Sequence, residues 1–562
     1  MTRDTPFSAW AARTHEAAAE RRREVGIPMR DGVELAADVY LPAGDEPAPS
    51  IVEVTPYGKD NAFCVSDAEL LRGHGYTFVC VDVRGRGKSE GEWTAFVNDP
   101  DDCHDVIEWV AAQPWSTGKV GMTGLSYMGW VQWAAASRRP PHLTCLVSTS
   151  AAGRWQQEIP YTNGAFQLYF AWWTYATRRR ISEGGDVDWE RVLATLPYGD
   201  LGTFINGTGH SWELLTEHDR LDDTWQALRF DDMYAQIAVP CLHVTGWYDL
   251  EDLLGAFHHY EGMCAHSPAA ADQYLLVGPW SHVGSRFPSD EYGGVELGPD
   301  AALDMDAEHV RWFDHWLKGA GPGIADLPRV RVFEPGRNRW RHASAWPLAT
   351  DTLELYLGVG DGEEGVLSGR SAEEEERTRT YRYDPLDPAL TGVDVTSYPV
   401  ENPPLAQNTN EARADVLTFT GEPLAEDLVI SGWAHLELYA SSDCDDTEWH
   451  VKITDVDPDG TSRKVTQGCL RAACRHSLTD LVPLTPGEVS RFDVELWPTH
   501  HAFRAGHRVR VTVTSSDYPW FARSLNRFGL VSAQGEPRVA HNTVVCGDEH
   551  PSRIVLPVER AG

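Results

Sequence analysis

Three residues able to share one piece of chemistry stand at comparable places in the chain. The apolar run Val120-Gly121-Met122-Thr123 leads into Gly124-Leu125-Ser126, and a helix-compatible segment rich in alanine follows from Val131 to Ser137. Strand, glycine-flanked serine, helix is the order of a nucleophile elbow, a tight turn that pushes the hydroxyl out of the sheet. The N–H of the next residue, Tyr127, then lies at a helix N-terminus, where it can stabilise an oxyanion. The usual spacing is G-x-S-x-G; here the second glycine is Gly129, one place late, with Met128 in the expected slot. A serine needs a base, and the base needs an acid to orient it. Leu242–Thr245 ends in Gly246-Trp247-Tyr248-Asp249, and Tyr274–Val277 ends in Gly278-Pro279-Trp280-Ser281-His282. One isolated histidine after a strand is more often a hydrogen-bonded structural residue. Serine, aspartate and histidine at three strand ends, in that chain order, reverse the weighting and point to acyl transfer through a covalent acyl-enzyme.

The elements that must position these groups alternate. Glu24–Met29 and Val33–Leu41 flank the turn Arg30-Asp31-Gly32 and read as a hairpin. Strands at Ser50–Thr55, Thr77–Val83 and Leu143–Ser148, with helices at Asp67–Arg72 and Asp101–Ala112, predict a mostly parallel sheet covered by helices on both faces. From Ala151 to Gln236 aromatic residues crowd segments of helical periodicity, which reads as a helical insertion. Alternation resumes at Val239–Thr245, Gln273–Val277 and a long helix Asp304–Leu317. Leu327–Ala343 reads as a mostly polar connection, with Val330-Arg331-Val332 able to start a short strand. Beyond it lie short β-type runs, among them Leu353–Leu357, Leu428–Ala440, Trp449–Val456, Arg491–Leu496 and Arg508–Thr514. Turns such as Asp457-Pro458-Asp459-Gly460 separate them, the pattern of an all-β sandwich or jelly roll. The expected division is 1–150 with 237–345 as a discontinuous catalytic domain, 151–236 as the insertion and 346–562 as the β-domain. Met1–Arg23 reads as a polar helix and Glu373–Glu376 as a solvated loop.

At 562 residues the chain exceeds one core and should divide into two to four domains. A formal net charge of −36 argues against nucleic acid or an anionic membrane as partner, since phosphates would be repelled; a well-solvated acidic surface is the plainer reading. The 22 tryptophans are numerous enough that some should line a pocket. None of the ten cysteines makes a C-x-x-C pair or a zinc-finger spacing, and Cys80, Cys145 and Cys241 sit in apolar strands as small hydrophobes. No apolar signal segment or membrane-length run is visible, so the expectation is a cytoplasmic enzyme, its oligomeric state open.

Several motifs in register carry a resemblance. Thr55-Pro56-Tyr57-Gly58, Asp82-Val83-Arg84-Gly85-Arg86-Gly87-Lys88-Ser89, Gly124-Leu125-Ser126-Tyr127-Met128-Gly129, Gly246-Trp247-Tyr248-Asp249 and Gly278-Pro279-Trp280-Ser281-His282 resemble the cocaine-esterase and X-prolyl dipeptidyl-peptidase group of α/β-hydrolases. Gly506-His507-Arg508 to Ser516 and His550-Pro551-Ser552 to Pro557 extend the likeness over nearly the whole chain. The group's own pattern is G-x-S-Y-x-G, which accommodates Gly129. The resemblance implies an α/β-hydrolase domain with a helical cap insertion and a C-terminal jelly roll. It also implies Ser126 as nucleophile, His282 as base, Asp249 as orienting acid, and Tyr57 donating its phenolic O–H to the oxyanion beside the Tyr127 N–H. No cofactor is implied.

Asp249-Leu250-Glu251-Asp252 is similar to the α-amino-acid ester hydrolase branch, in which acidic residues bind the substrate ammonium. Glu158 is the nearest candidate for a further acid from the cap. Against this, acidic residues in the first turn of a helix are favoured by the macrodipole whatever the ligand. Trp155, Phe166, Trp172 and Trp173 are candidates to wall an acyl pocket, although aromatics at helical spacing are more often core. A metal on Asp249, Glu251, Asp252, His258 and His259 is disfavoured because adjacent histidines on a helix point apart. Arg84-Gly85-Arg86-Gly87 lacks the spacing of a phosphate loop. The expected function is a serine hydrolase acting on small carboxylic esters, α-amino esters or amides included. X-prolyl or aminopeptidase-like cleavage and acyl transfer to an amine are the alternatives on the same acyl-enzyme. A non-catalytic binding protein is the reading from another class, disfavoured by the intact triad.

Overall fold

In the computed structural model the described residues are 22–180, 187–205, 211–320, 324–360, 364–370, 376–392 and 405–559. The helix expected in Met1–Arg23 falls almost wholly outside them, as do Glu373, Glu374 and Glu375, while Arg22 and Arg23 open the first strand.

One sheet runs through the first part of the chain. Its strands are β1 (Arg22–Pro28), β2 (Glu34–Tyr40), β3 (Ala48–Thr55), β4 (Thr77–Asp82), β5 (Ser116–Leu125), β6 (Leu143–Thr149), β7 (Cys241–Gly246), β8 (Gln273–Gly278), β9 (Val330–Glu334) and β10 (Arg339–Ala343). They lie in the order β1-β2-β4-β3-β5-β6-β7-β8-β9-β10. Neighbours from β4 to β9 are parallel, and the outer pairs are antiparallel. Every residue of β4, β7 and β8 is buried, which is why they read as continuous apolar runs rather than alternating ones.

Helices cover both faces. The apolar sides of α1 (Ala62–Gly73) and α5 (Met305–Phe313) share one core beneath the sheet. Those of α2 (Asp99–Ala111), α3 (Tyr127–Ser137) and α4 (Leu253–His266) share the other. Asn61 starts α1 by accepting from the N–H groups of Phe63 and Cys64, and Asp304 caps α5 through Ala307 N–H. The short strand allowed at Val330-Arg331-Val332 is β9, and the rest of the stretch read as a polar connection turns back as β10 to form a hairpin with it. Its polarity has a cause: Arg339 and Arg341 reach across to the buried carboxylate of Glu334 on β9.

Between β6 and β7 the chain forms the cap, mostly short helices such as Phe170–Thr177, Trp189–Ala194 and Ser211–Glu217. It also holds a small hairpin, Tyr161–Thr162 with Ala165–Phe166, that helical periodicity did not suggest. After β10 a second sheet system of 13 strands extends from Asp351–Val359 to Arg553–Glu559, alternating in burial as at His435–Ser442. Trp346, Cys469, Trp497, Trp520 and Phe521 from this β-rich part join the same core as α2, α3 and α4. No helix of the described residues is long and apolar enough to cross a membrane.

Candidate active site

Ser126 connects β5 to α3 with φ 66 and ψ −127, a backbone conformation costly for a side-chain-bearing residue. It is held there by its N–H, which donates to the carbonyls of Thr149 and Ser150 at 3.0 Å each. The late glycine has a steric reason: a Cβ on Gly129 would meet the Thr149 carbonyl oxygen at 2.6 Å, so it is this helical position that lies against β6. A Cβ on Gly124 would meet that of Met128 at 2.5 Å. Tyr127 occupies the first helical position, where the backbone N–H has no intrahelical acceptor. Its side chain is fixed elsewhere, the O–H donating to Asp99 Oδ2 at 2.9 Å and accepting from Phe96 N–H at 2.9 Å.

The loops after β7 and β8 bring Asp249 and His282 together. They approach so closely that a Cβ on Gly246 would lie 2.1 Å from the Trp280 carbonyl oxygen. His282 Nδ1 stands 3.0 and 3.1 Å from the two oxygens of Asp249, both residues fully buried. Asp249 Oδ1 also accepts from the N–H groups of Glu251 at 2.9 Å and Asp252 at 3.2 Å. Burial is the largest influence on the Asp249 carboxyl and raises it, but the charge and hydrogen bond of His282, with the hydrogen bonds from Ser150 and the Asp252 N–H, together hold it below the usual range. On the other side of the ring, His282 Nε2 lies 3.2 Å from Glu251 Oε2. Burial would depress the imidazole; Glu251 and then Asp249 override it and raise His282 well above an ordinary histidine.

Ser126, Tyr57, Tyr127, Glu251 and Asp252 line one cavity, walled otherwise by apolar and aromatic side chains. Tyr57 follows β3 and lines the same cavity as Ser126. The Trp173 indole N–H donates to the Tyr57 oxygen at 3.1 Å, leaving the phenolic proton free to be donated. Burial raises the Tyr57 phenol, so it is neutral. Arg86 fixes this segment, donating to the carbonyls of Pro56 at 2.7 Å and Thr177 at 2.6 Å, which gives the Arg84-Gly85-Arg86-Gly87 turn its structural role. Asp252 is raised far above a normal carboxyl by burial first, and by Glu158, Glu251 and Asp249 next.

Other expected residues lie outside the cavity wall. Glu158 is buried, and its carboxylate accepts from the N–H groups of Gly153, Arg154 and Gly255, joining the start of the cap to α4. Its carboxyl is pushed up to about 7 by burial. Trp155 stacks on Trp225 at 5.1 Å and donates its indole N–H to Leu228 O, inside the cap core. Phe166 packs on Tyr161 and Trp212. Trp172 is half-buried on the side of its helix away from the cavity, which takes Phe170 and Trp173, three residues apart and so on one face. His259 stacks on Trp133 at 4.2 Å and bonds Tyr234 and the Ala152 carbonyl, whereas His258 faces Asp231. Phe96, Trp130, Ile159 and Tyr169 complete the wall without having been singled out; only the aromatic density of the cap pointed toward any of them.

A family model described as X-Pro dipeptidyl-peptidase (S15 family) matches residues 31–284, and one described as X-Pro dipeptidyl-peptidase C-terminal non-catalytic domain matches 322–555. Cocaine esterase of Rhodococcus sp. is 31% identical over 95% of this chain and 98% of its own length. Among solved structures, an α-amino acid ester hydrolase superposes with a TM-score of 0.86 at 28% identity, covering 96% of this chain and 97% of that one. An aminopeptidase from a marine sediment Thaumarchaeota archaeon does so with a TM-score of 0.85 at 26% identity, covering 96% of each.

Proposed function

Because this chain belongs to the X-Pro dipeptidyl-peptidase S15 family of serine hydrolases, with cocaine esterase among its relatives, we propose that it hydrolyses small carboxylic esters, preferentially those with an α-ammonium on the acyl side. Its fold is an α/β-hydrolase domain with a helical cap and a C-terminal jelly roll. Ser126 attacks the carbonyl carbon while His282 takes its proton, and Asp249 fixes the imidazole tautomer through Nδ1. The oxyanion receives the Tyr57 O–H and the Tyr127 N–H. The alcohol leaves with the proton from His282; a water attacks the acyl-enzyme with His282 again as base, and the acid departs.

The observation that carries the ammonium preference is the pair Glu251 and Asp252, buried carboxylates in an otherwise aromatic cavity beside the serine. Burial holds the Asp252 carboxyl well above the usual range, and a cation beside it would favour its charged form. An arriving ammonium adds a cation beside both carboxyl groups and draws Glu251 away from His282 Nε2, freeing the ring nitrogen that must serve Ser126. A peptide N-terminus carries the same ammonium, so aminopeptidase-like cleavage uses the same acids with a poorer leaving group.

The test compares p-nitrophenyl esters of an α-amino acid and of its deaminated analogue with the matching p-nitroanilide. Ser126→Ala should remove the p-nitrophenol burst and lower turnover by about 10⁴-fold or more. Glu251→Gln with Asp252→Asn should weaken turnover of the amino ester far more than of the neutral ester. Equal losses would remove the ammonium preference while leaving the hydrolase reading intact.

A further inference from the structure

At one end of the β-domain two turns lie side by side, because the strand Glu448–Val456 runs antiparallel to Arg508–Thr514 with Val456 opposite Arg508. The first turn, Asp457-Pro458-Asp459-Gly460, follows directly on Val456, so Asp455 and Asp457, two residues apart on extended chain, share a side. The second is closed by His507 N–H donating to the Arg504 carbonyl at 3.0 Å and brings His507 against both acids. A neighbouring strand, Thr499–Phe503, alternates in the same way. Its His500 turns inward to Glu334 of β9 at 3.3 Å, and its His501 turns outward to Asp455.

The two carboxylates are oriented alike. Each has an outer oxygen taken by a fixed partner: His501 Nε2 lies 2.9 Å from Asp455 Oδ2, and Arg463 donates to Asp457 Oδ2. Each turns its inner oxygen to one nitrogen, His507 Nδ1, at 2.8 Å from Asp455 Oδ1 and 3.4 Å from Asp457 Oδ1. A single N–H can point at only one of them, and 3.4 Å is long for a charged hydrogen bond. The three ligand atoms lie within 4.8 Å of one another, which spans the separation of about 3.3 Å set by zinc–ligand bonds of about 2.1 Å in a tetrahedron. Burial is the largest influence on the Asp455 carboxyl and raises it, but His501 and His507 together hold it below the usual range, so it is ionised, as a metal ligand must be. Side-chain exposures of 19% at His507 and 22% at Asp457 leave the cluster open to an arriving ion.

We propose that Asp455 Oδ1, Asp457 Oδ1 and His507 Nδ1 bind a divalent transition-metal ion of the zinc class, with water completing the tetrahedron. His501 and Arg463 hold the outer carboxylate oxygens, the place of the hydrogen-bonding partners that orient ligands at metal centres. Arg463 answers one of the two carboxylate charges and leaves the other for the cation. An imidazole among the ligands favours zinc over magnesium or calcium, which take oxygen. The ion would tie the two turns together.

The readout is binding and stability, so the hydrolytic reading can fail without it. Zn²⁺ is titrated calorimetrically into full-length protein freed of metal by a chelator, with Mg²⁺ as the oxygen-preferring control. Zn²⁺ should bind the unmodified protein and raise its Tm, and Mg²⁺ should bind far more weakly. His507→Gln should lose this binding and the rise in Tm, and His501→Gln should weaken it by about 10- to 100-fold. If His507→Gln fails to fold, Asp457→Asn decides in its place. Hydrolysis of a p-nitrophenyl ester without added metal should be unchanged in His507→Gln. Glu251, Asp252 and His282 also bring three ligand atoms within 4.8 Å, so Glu251→Gln is titrated in parallel and should keep the zinc lost in His507→Gln. A crystal soaked in Zn²⁺ should show its anomalous signal against His507. Zinc affinity unchanged in His507→Gln, zinc held only where Glu251 is intact, or Mg²⁺ binding as tightly as Zn²⁺ would each overturn the assignment.

Discussion

Glu251 stands 3.2 Å from the ring nitrogen of His282 that an acyl-transfer base must keep available. In the proposed mechanism this contact sets the pH response. A base must be neutral to accept a proton, and Glu251 is the leading charge that raises His282. With a neutral ester, the acid limb of kcat/KM should therefore fall well above the ordinary histidine value of about 6.5. Glu251→Gln removes that charge, so the limb should move to lower pH, as read from a pH–rate profile on a neutral ester. A limb that stays in place would separate Glu251 from the base. Tyr57→Phe removes one oxyanion donor and should lower kcat by about 10²-fold with little change in KM, since the bond matters most in the transition state.

At the scale of elements, the serine turn depends on how closely α3 can approach β6. Gly129→Ala places a methyl 2.6 Å from the Thr149 carbonyl, whose oxygen also receives the Ser126 N–H. This variant should lose about 1–3 kcal/mol in denaturant unfolding and also lose turnover through displacement of the elbow. The staple at Glu158 is different in kind. Glu158→Ala leaves the N–H groups of Gly153, Arg154 and Gly255 without their acceptor, and hydrogen exchange should rise at the start of the cap and of α4. These elements also show what could be read from the chain. The contact of Asp249 with His282 and the place of Ser126 in the cavity wall could be read from residues that each end an apolar strand, because the ends of parallel strands lie on one side of the sheet. The rest of the cavity wall could not: choosing Trp173 over Trp172 depends on the rotation of one short helix, and Phe96 enters from a turn with φ 69. The hairpin β9–β10 escaped notice because its arginines answer a glutamate from the same hairpin, so its polarity mimics a loop.

At the scale of the whole molecule, a formal charge of −36 places a negative field around a cavity that ends in carboxylates. Cationic substrates should be concentrated at its mouth and neutral ones should not. Raising the salt should therefore increase KM for an α-amino ester while leaving the neutral analogue nearly unaffected, because screening shortens the reach of the field. The β-domain also supports the same site: Tyr169, which lines the reaction cavity, is stacked on Trp520 at 4.8 Å with the rings 9° from parallel. A ribosome making this protein assembles serine, aspartate and histidine well before it reaches that tryptophan. The growing polypeptide thus lacks a finished substrate chamber until the segment carrying Trp520 has emerged and folded against the cap.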